Sequence, residues 1–434
     1  MSIYIGIDIG TSGCRAIAID ESRSICARST TSVPLPLRKG NLIEQDPEVW
    51  WQATQRVLKD VSNQINPRDV AAICVAGTSS TLLLCDKQGK PLQPAIMYND
   101  ARGKEQAVWI KQYALKYTAA HGASSALAKL LWYRDQGITE RASYALHQAD
   151  WLSAQLCGRF GVSDVNNALK LGYDPVNNEW PEWLDKIKTP RDLLPRVIKP
   201  GSVMGTIKFE LTERFNFPIT TQIIAGTTDS TASFIATGVN KVGEAVTSLG
   251  STLVLKILAD EPVFEPNYGV YSQPINGKWL VGGASNTGGA VLLKFFDQEQ
   301  LDEMTPQLKP AVNTNLNYYP LFSKGERFPV NDPEMESRTT PRPADEVQFF
   351  QGLLEGITSI ELQGYERLAQ LGAPFPSKIY STGGGTRNEP WNIIRSFLLS
   401  VPVEVSEHTE AAYGSALLAQ SGSINVSKNL KSFQ

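Results

Sequence analysis

The sequence predicts an α/β chain built from two halves that repeat one plan, and three observations predict it. Runs rich in β-formers alternate with runs of helical length and apolar spacing along the chain. Residues 3–20 read as a hairpin: two apolar runs, 3–9 and 14–19, flank the turn Gly10-Thr11-Ser12-Gly13. Residues 244–260 repeat that pattern. Laying Gly10 on Gly250 also lays Thr11 on Ser251, Ser12 on Thr252 and Asp20 on Asp260.

The later elements follow the same plan. In the first half the apolar run 71–76 enters Gly77-Thr78-Ser79, and in the second the run 378–381 enters Thr382-Gly383-Gly384-Gly385. Residues 50–65 and 343–372 read as helices by length and apolar spacing. A lone Asp, Asp229, stands between the apolar run 223–225 and the helical run 230–237, which is the place of an N-cap. Residues 195–218, rich in Pro, Gly and short apolar runs, mark the approach to a domain boundary. The expected first domain is 1–236, rejoined by a last helix at about 410–434; the second is 237–409. Gly238, Gly243 and residues 262–266 are its expected flexible points.

Composition narrows the function. Hydrophobic residues make up 42% and charged residues 20% of 434, with a formal net charge of −3. That balance offers no electrostatic footprint for nucleic acid or an anionic membrane. No apolar run reaches the ~18–20 residues of a membrane span, and Asp8 interrupts the stretch a signal peptide would need. Five Cys lack any Cys-x-x-Cys pair, and three His stand far apart, so neither a disulfide framework nor a zinc site is expected. The expectation is a cytoplasmic protein, or one of the plastid stroma if a processed plant form. Oligomeric state is not legible.

Phosphate-loop, Rossmann, nucleophile-elbow and protein-kinase signatures are absent. Paired small-residue turns offer another route to a polyphosphate, through backbone N–H groups and hydroxyls. The halves differ at one place, where Asp8 matches Ser248. A carboxylate beside phosphates repels them unless a cation intervenes, so Asp8 predicts Mg²⁺ there.

Six segments, in order, carry a resemblance to the FGGY carbohydrate kinases, a branch of the actin–hexokinase superfamily. They are the hairpin with Asp8, Gly10, Thr11 and Gly13; Tyr98-Asn99-Asp100-Ala101-Arg102; residues 124–132, with a Lys129-x-x-Trp132 signature; residues 223–232, with Gly226 and Asp229; Ser248-Leu249-Gly250-Ser251-Thr252; and residues 381–388. Ala126 departs from the Pro, Ser or Thr usual at its position. The whole chain is covered, and it also resembles a compact cyanobacterial and plant subgroup similar to D-ribulose kinases.

The resemblance implies two duplicated actin-like (ribonuclease H-like) domains with an ATP/sugar cleft between them. It implies Mg-ATP as phosphoryl donor and a small sugar as acceptor. Asp229 becomes the general base, and with Asp8 a metal-side carboxylate. Thr11, Ser12, Gly13, Gly250, Ser251, Gly384, Gly385, Asn388 and Trp391 become nucleotide contacts, Asn388 toward adenine or ribose. A lower-ranked turn, residues 286–289, joins them. Asp8, Ser79, Ser80, Tyr98, Asp100, Arg102 and Asp229 become the sugar set, with Ser124 by motif position. Asp100 and Arg102 hold one another or a sugar hydroxyl, or form a surface ion pair. Residues 148–175, with Asp164, Asn166 and Asn167, match the family in outline.

At residues 77–81, Gly77-Thr78-Ser79-Ser80-Thr81 lacks the Arg-Glu pair of glycerol kinases and the His of xylulose kinases. Small hydroxyls there suit another ketopentose or a pentitol. The expected acceptor is D-ribulose, with D-xylulose the alternative. Readings of another class are an actin-like ATPase switch and a degenerate kinase without efficient transfer.

Overall fold

The computed structural model describes residues 1–431, and the chain divides into two units, 1–238 with 408–434 and 239–407. Unit 1 is built on a six-stranded mixed sheet. Strands β1 (Ile3–Ile9), β2 (Gly13–Ile19) and β3 (Ile25–Ser32) form an antiparallel meander. On the other side of β1 lie β4 (Val70–Gly77) and β5 (Gln222–Ile224), both parallel, and an antiparallel edge strand, Val203–Thr206. Every residue of β1 is buried, as expected of a central strand covered on both faces.

Helix α1 (Pro47–Ser62) packs on this sheet. Asp46 caps it by accepting from the Glu48 N–H, and Pro47 opens it, so it starts three residues before the apolar periodicity does. Helices α2 (Ala126–Asp135) and α3 (Gln148–Cys157) follow, then α4 (Asp229–Ala236) directly after β5. A second, five-stranded antiparallel sheet in unit 1 contains Leu82–Cys85 and Ala95–Ile96. It anchors the chain just after residues 78–81 and just before residues 98–102. The stretch 195–218 forms two short strands and a helix, Phe209–Phe215, within unit 1, so its Pro and Gly residues mark turns inside the fold.

Unit 2 repeats the sheet. Strands β6 (Glu244–Leu249), β7 (Leu253–Ala259) and β8 (Lys278–Ala284) pair antiparallel in that order, and Tyr271–Ile275, which precedes β8 in the chain, pairs with it at the edge. Strands β9 (Lys378–Thr382) and β10 (Val403–Val405) add parallel to β6. Both sheets thus contain one five-strand run with the same order and directions, which is the topological signature of a repeat. The hairpins differ by one residue: Ile9 faces Cys14, but Leu249 faces Leu253.

Helices α5 (Glu346–Gln370) and α6 (Glu389–Leu399) cover the second sheet. The final helix, α7 (Ala411–Lys431), packs against β1 and α4 of unit 1. Its Gly414 permits that approach, because a Cβ there would stand 1.9 Å from the Ala232 carbonyl.

Candidate active site

In unit 1 the expected sugar and catalytic residues converge at the C-terminal ends of the parallel strands. Asp8 sits one residue from the end of β1, paired across the sheet with Arg15 on β2 and Ala76 on β4. It is 7% exposed. Its Oδ2 accepts from Arg15 Nη1 at 3.3 Å, and its Oδ1 has no partner. Burial, reinforced by the charge of Asp229 and opposed by Arg15, pushes the Asp8 carboxyl up to about 6. Arg15 belongs to no motif; its only local signal is the cross-strand position opposite Asp8.

Asp229 is not the N-cap that its sequence position suggested. Thr228 takes that place, and its hydroxyl pairs with that of Thr231 at 2.9 Å. Asp229 is the first helical residue, where its charge still favours the helix dipole. Its Oδ1 accepts from the Ser230 N–H at 2.6 Å. The neighbouring Thr227 hydroxyl accepts from Asn166 Nδ2 at 3.0 Å, and Asn166 lies on a short helix capped by Asp164.

A single parallel bridge, Gly77 to Thr228, ties the end of β4 to the start of α4. The loop of residues 78–81 is thereby set beside Asp229. Within it the Thr78 hydroxyl is already committed, to Thr81 Oγ1 at 2.6 Å and Gln148 Oε1 at 2.7 Å. The Ser79 hydroxyl has no partner. Ser80 adopts φ +72°, which turns its carbonyl inward.

Asp100 and Arg102 hold one another, and they do so in the interior rather than as a surface pair. Asp100 is fully buried. Its Oδ1 accepts from the Arg102 N–H and Nε, and its Oδ2 from the Ile43 N–H and Arg102 Nη2. Four donors saturate the carboxylate, so it shapes the loop and has no vacant acceptor for a sugar. Arg102 also reaches Glu44 at 2.7 Å. Tyr98, at the start of that loop, is 41% exposed.

The two hairpin turns keep small side chains at the surface. The Gly10 N–H donates to the Gly13 carbonyl at 2.9 Å, with Thr11 half-buried and Ser12 exposed. In unit 2 the Gly289 N–H donates to the Gly250 carbonyl at 2.8 Å, so the turn of residues 286–289 packs directly on the second hairpin.

A cavity of about 440 Å³ opens beside that hairpin, within the size range of small-ligand sites. Gly250, Ser251, Gly289, Gly384, Gly385, Asn388 and Trp391 line it. Gly383 makes the approach possible: it has φ +87°, and a Cβ would stand 2.7 Å from the Leu249 carbonyl.

Asn388 is partly committed to structure. Its Oδ1 caps α6 by accepting from the Trp391 N–H at 2.9 Å, and its Nδ2 donates to Thr305 Oγ1 at 3.2 Å. One Nδ2 hydrogen and one Oδ1 lone pair remain for the expected amide contact to adenine or ribose. Trp391 is 2% exposed and donates from Nε1 to Thr358, so it forms the cavity floor. The opposite wall, with Gln298, Leu301 and Asp302 on the helix Gln298–Met304, carries no motif; its only sequence signal is the capping box from Asp297 to Gln300.

Among the described residues no cluster of three or more His, Cys, Asp or Glu side chains could hold a metal ion, and no helix is long and apolar enough to cross a membrane. Two neighbouring carboxylates, one with an orphaned buried oxygen, nevertheless fit Mg²⁺, which takes one or two carboxylates and draws its other ligands from water and phosphate.

Comparison with known proteins gives the family. Residues 3–236 match the N-terminal domain of the FGGY family of carbohydrate kinases, and residues 245–422 match its C-terminal domain. A xylulose kinase of Escherichia coli is 25% identical over 441 residues, covering 96% of this chain and 90% of its own. A solved kinase of Brucella ovis, described as a xyloylose kinase, superposes with a TM-score of 0.87 at 22% identity, covering 98% of this chain and 91% of that one. A gluconate kinase of Lactobacillus acidophilus gives 0.86 at 20% identity, covering 98% and 90%. The chain belongs to the FGGY family of carbohydrate kinases and is a sugar phosphotransferase that uses ATP.

Proposed function

We propose that this kinase transfers the γ-phosphoryl group of ATP to a hydroxyl of a ketopentose, with D-ribulose the preferred acceptor. One observation carries the reading: the Gly77–Thr228 bridge joins a neutral, hydroxyl-bearing loop to the Asp229 end of α4, beside Asp8.

Asp229 accepts the proton of the attacking sugar hydroxyl. The sugar oxygen forms the new P–O bond while the bond from the γ-phosphorus to the bridging oxygen breaks, and ADP leaves. Asp8, with Asp229, would hold Mg²⁺, which neutralises phosphate charge when bound. Arg15 sets the orientation of Asp8. Thr11, Ser12 and Gly13, with Gly250 and Ser251, offer the small-residue turns that suit phosphate. Gly384, Gly385 and the Trp391 floor suit the flat base, with Asn388 as their anchor.

The choice of acceptor rests on residues 78–80. Thr78 is tied down internally, which leaves the Ser79 hydroxyl, with Ser80 and Tyr98 beside it, to read the acceptor. No charged side chain stands in this loop, which suits an uncharged polyol chain and disfavours the glycerol reading. D-xylulose, the C3 epimer of D-ribulose, is the second reading, and the E. coli relative's name supports it.

An ADP-release assay with Mg-ATP against D-ribulose, D-xylulose, L-ribulose, glycerol and ribitol tests this. D-ribulose should give the largest kcat/KM, and EDTA should abolish it. A larger kcat/KM for D-xylulose would replace the acceptor and keep the mechanism. If no sugar raises ADP release above background, the reading fails.

A further inference from the structure

The Lys129-x-x-Trp132 pair takes no part in proton or phosphoryl transfer, yet both residues grip the same loops from α2. Lys129 is fully buried. Its ammonium donates to the Ser80 carbonyl at 2.8 Å, the Ser124 carbonyl at 2.8 Å and the Tyr98 carbonyl at 3.4 Å. Those oxygens belong to three separate segments: the loop after β4, the turn before α2 and the loop that carries Asp100 and Arg102. One helical turn on, the Trp132 ring lies 4.8 Å beneath the Arg102 guanidinium.

A buried ammonium satisfied by main-chain oxygens is costly to hold. Burial outweighs the attraction of Asp100, while Arg102 and Lys170 add repulsion, and together they push Lys129 down to about 7. A Met or Leu would fill the same volume without that cost. What an apolar side chain cannot do is draw three carbonyls to one point.

We propose that Lys129 is a positioning residue for the sugar site: by gathering the carbonyls of Ser80, Tyr98 and Ser124 it fixes the sugar loops against one another and sets sugar affinity without touching the sugar. The proposal rests on the reading that these loops bind the acceptor.

The test compares wild type with Lys129→Gln and Lys129→Arg, using whichever ketopentose the wild type turns over. Gln reaches fewer carbonyls and carries no charge, so the sugar KM should rise about tenfold or more, while the ATP KM stays within about twofold. Arg keeps charge and donors and should show a smaller rise. A sugar KM within twofold of wild type in the Gln variant overturns the proposal. So does an equal rise in the ATP KM, or an Arg variant no better than Gln.

Should the Gln variant not fold, a titration of ¹³C-lysine-labelled wild type decides. Saturating sugar should raise the apparent pKa of the buried lysine, by reciprocal linkage between the clamp and the bound loops. An unmoved titration overturns the proposal. Wild type inactive with every sugar overturns the underlying reading, and the proposal with it; turnover with an unchanged sugar KM in Lys129→Gln overturns the proposal alone.

Discussion

Asp8 and Asp229 stand near enough in unit 1 for the charge of Asp229 to oppose ionisation of Asp8, on top of what burial already costs. Two carboxylates held together in a partly dry site are unfavourable by themselves and become useful when a cation joins them. The protein without ligand therefore carries a local electrostatic penalty at the position its proposed chemistry needs.

That penalty predicts a stability gain from a damaging substitution. The folded-state pKa of Asp8 is about 6 against an ordinary 3.8, so the folded protein binds the extra proton between these values. Its contribution is fully present below about 3.8 and is lost as pH rises through about 6. Asp8→Asn, a permanently neutral near-isostere, should stabilise the ligand-free protein at pH 8 by on the order of 1–3 kcal/mol, read as a raised thermal midpoint. The difference from wild type should shrink toward pH 4, while ketopentose phosphorylation is lost. A variant less stable than wild type at pH 8 would show that Asp8 is structural.

Asp229→Asn separates chemistry from folding. Thr228, not Asp229, stands at the N-cap position of α4, so the variant should keep its helix and lose at most about 1 kcal/mol of dipole interaction. If Asp229 is the general base, kcat should fall by ~10²–10⁴ with the sugar KM nearly unchanged, and its share in holding Mg²⁺ should raise the ATP KM. A kcat within threefold of wild type would remove Asp229 from the chemistry.

Gly383→Ala tests the nucleotide side in unit 2. The new methyl would meet the Leu249 carbonyl at 2.7 Å in a φ +87° backbone. Relief requires the Gly-rich turn to shift away from the hairpin whose turn begins at Gly250. The expected result is a loss of about 1–3 kcal/mol in stability and a raised ATP KM, with the sugar KM unaffected. Unchanged ATP KM would mean that this turn does not contact the nucleotide.

The features legible in the sequence are those whose signals are local. Each hairpin announces itself through apolar runs around a small-residue turn, and Asp229 through its place between a strand and a helix. The register difference between the hairpins is invisible, because both read as a small-residue turn between apolar runs, and Gly13, which reads as the end of its turn, is the first residue of β2. Nothing in a linear chain shows that Thr305 takes one polar group of Asn388, or that Ile43 and Arg102 together saturate Asp100, which decides among the alternatives for that carboxylate. The role of Lys129 was hidden for the same reason: its three partners lie 5, 31 and 49 residues away. Packing decides these commitments, and composition carries no record of them.

Packing also decides the last prediction, at the buried ion pair of unit 2. Arg395 and Glu361 are both fully buried and joined twice, from Nε to Oε2 at 2.7 Å and from Nη2 to Oε1 at 2.6 Å. Glu361 also accepts from Thr247 on β6, and Arg395 donates to Ser381 on β9. These strands lead into the turns at Gly250 and Gly383, so the pair spans the supports of both. Arg395→Met leaves a buried carboxylate without its cation and should cost about 3–5 kcal/mol. Adding Glu361→Met removes the orphaned charge, so the double variant should recover most of that loss. The Ser381 hydroxyl, left without its Arg395 donor, keeps recovery incomplete by about 1 kcal/mol, while Thr247 retains the Tyr365 hydroxyl at 2.8 Å. Denaturant midpoints for the two single variants and the double one measure this. A double variant no more stable than Arg395→Met would mean that shape, and not charge pairing, is what this site supplies to unit 2.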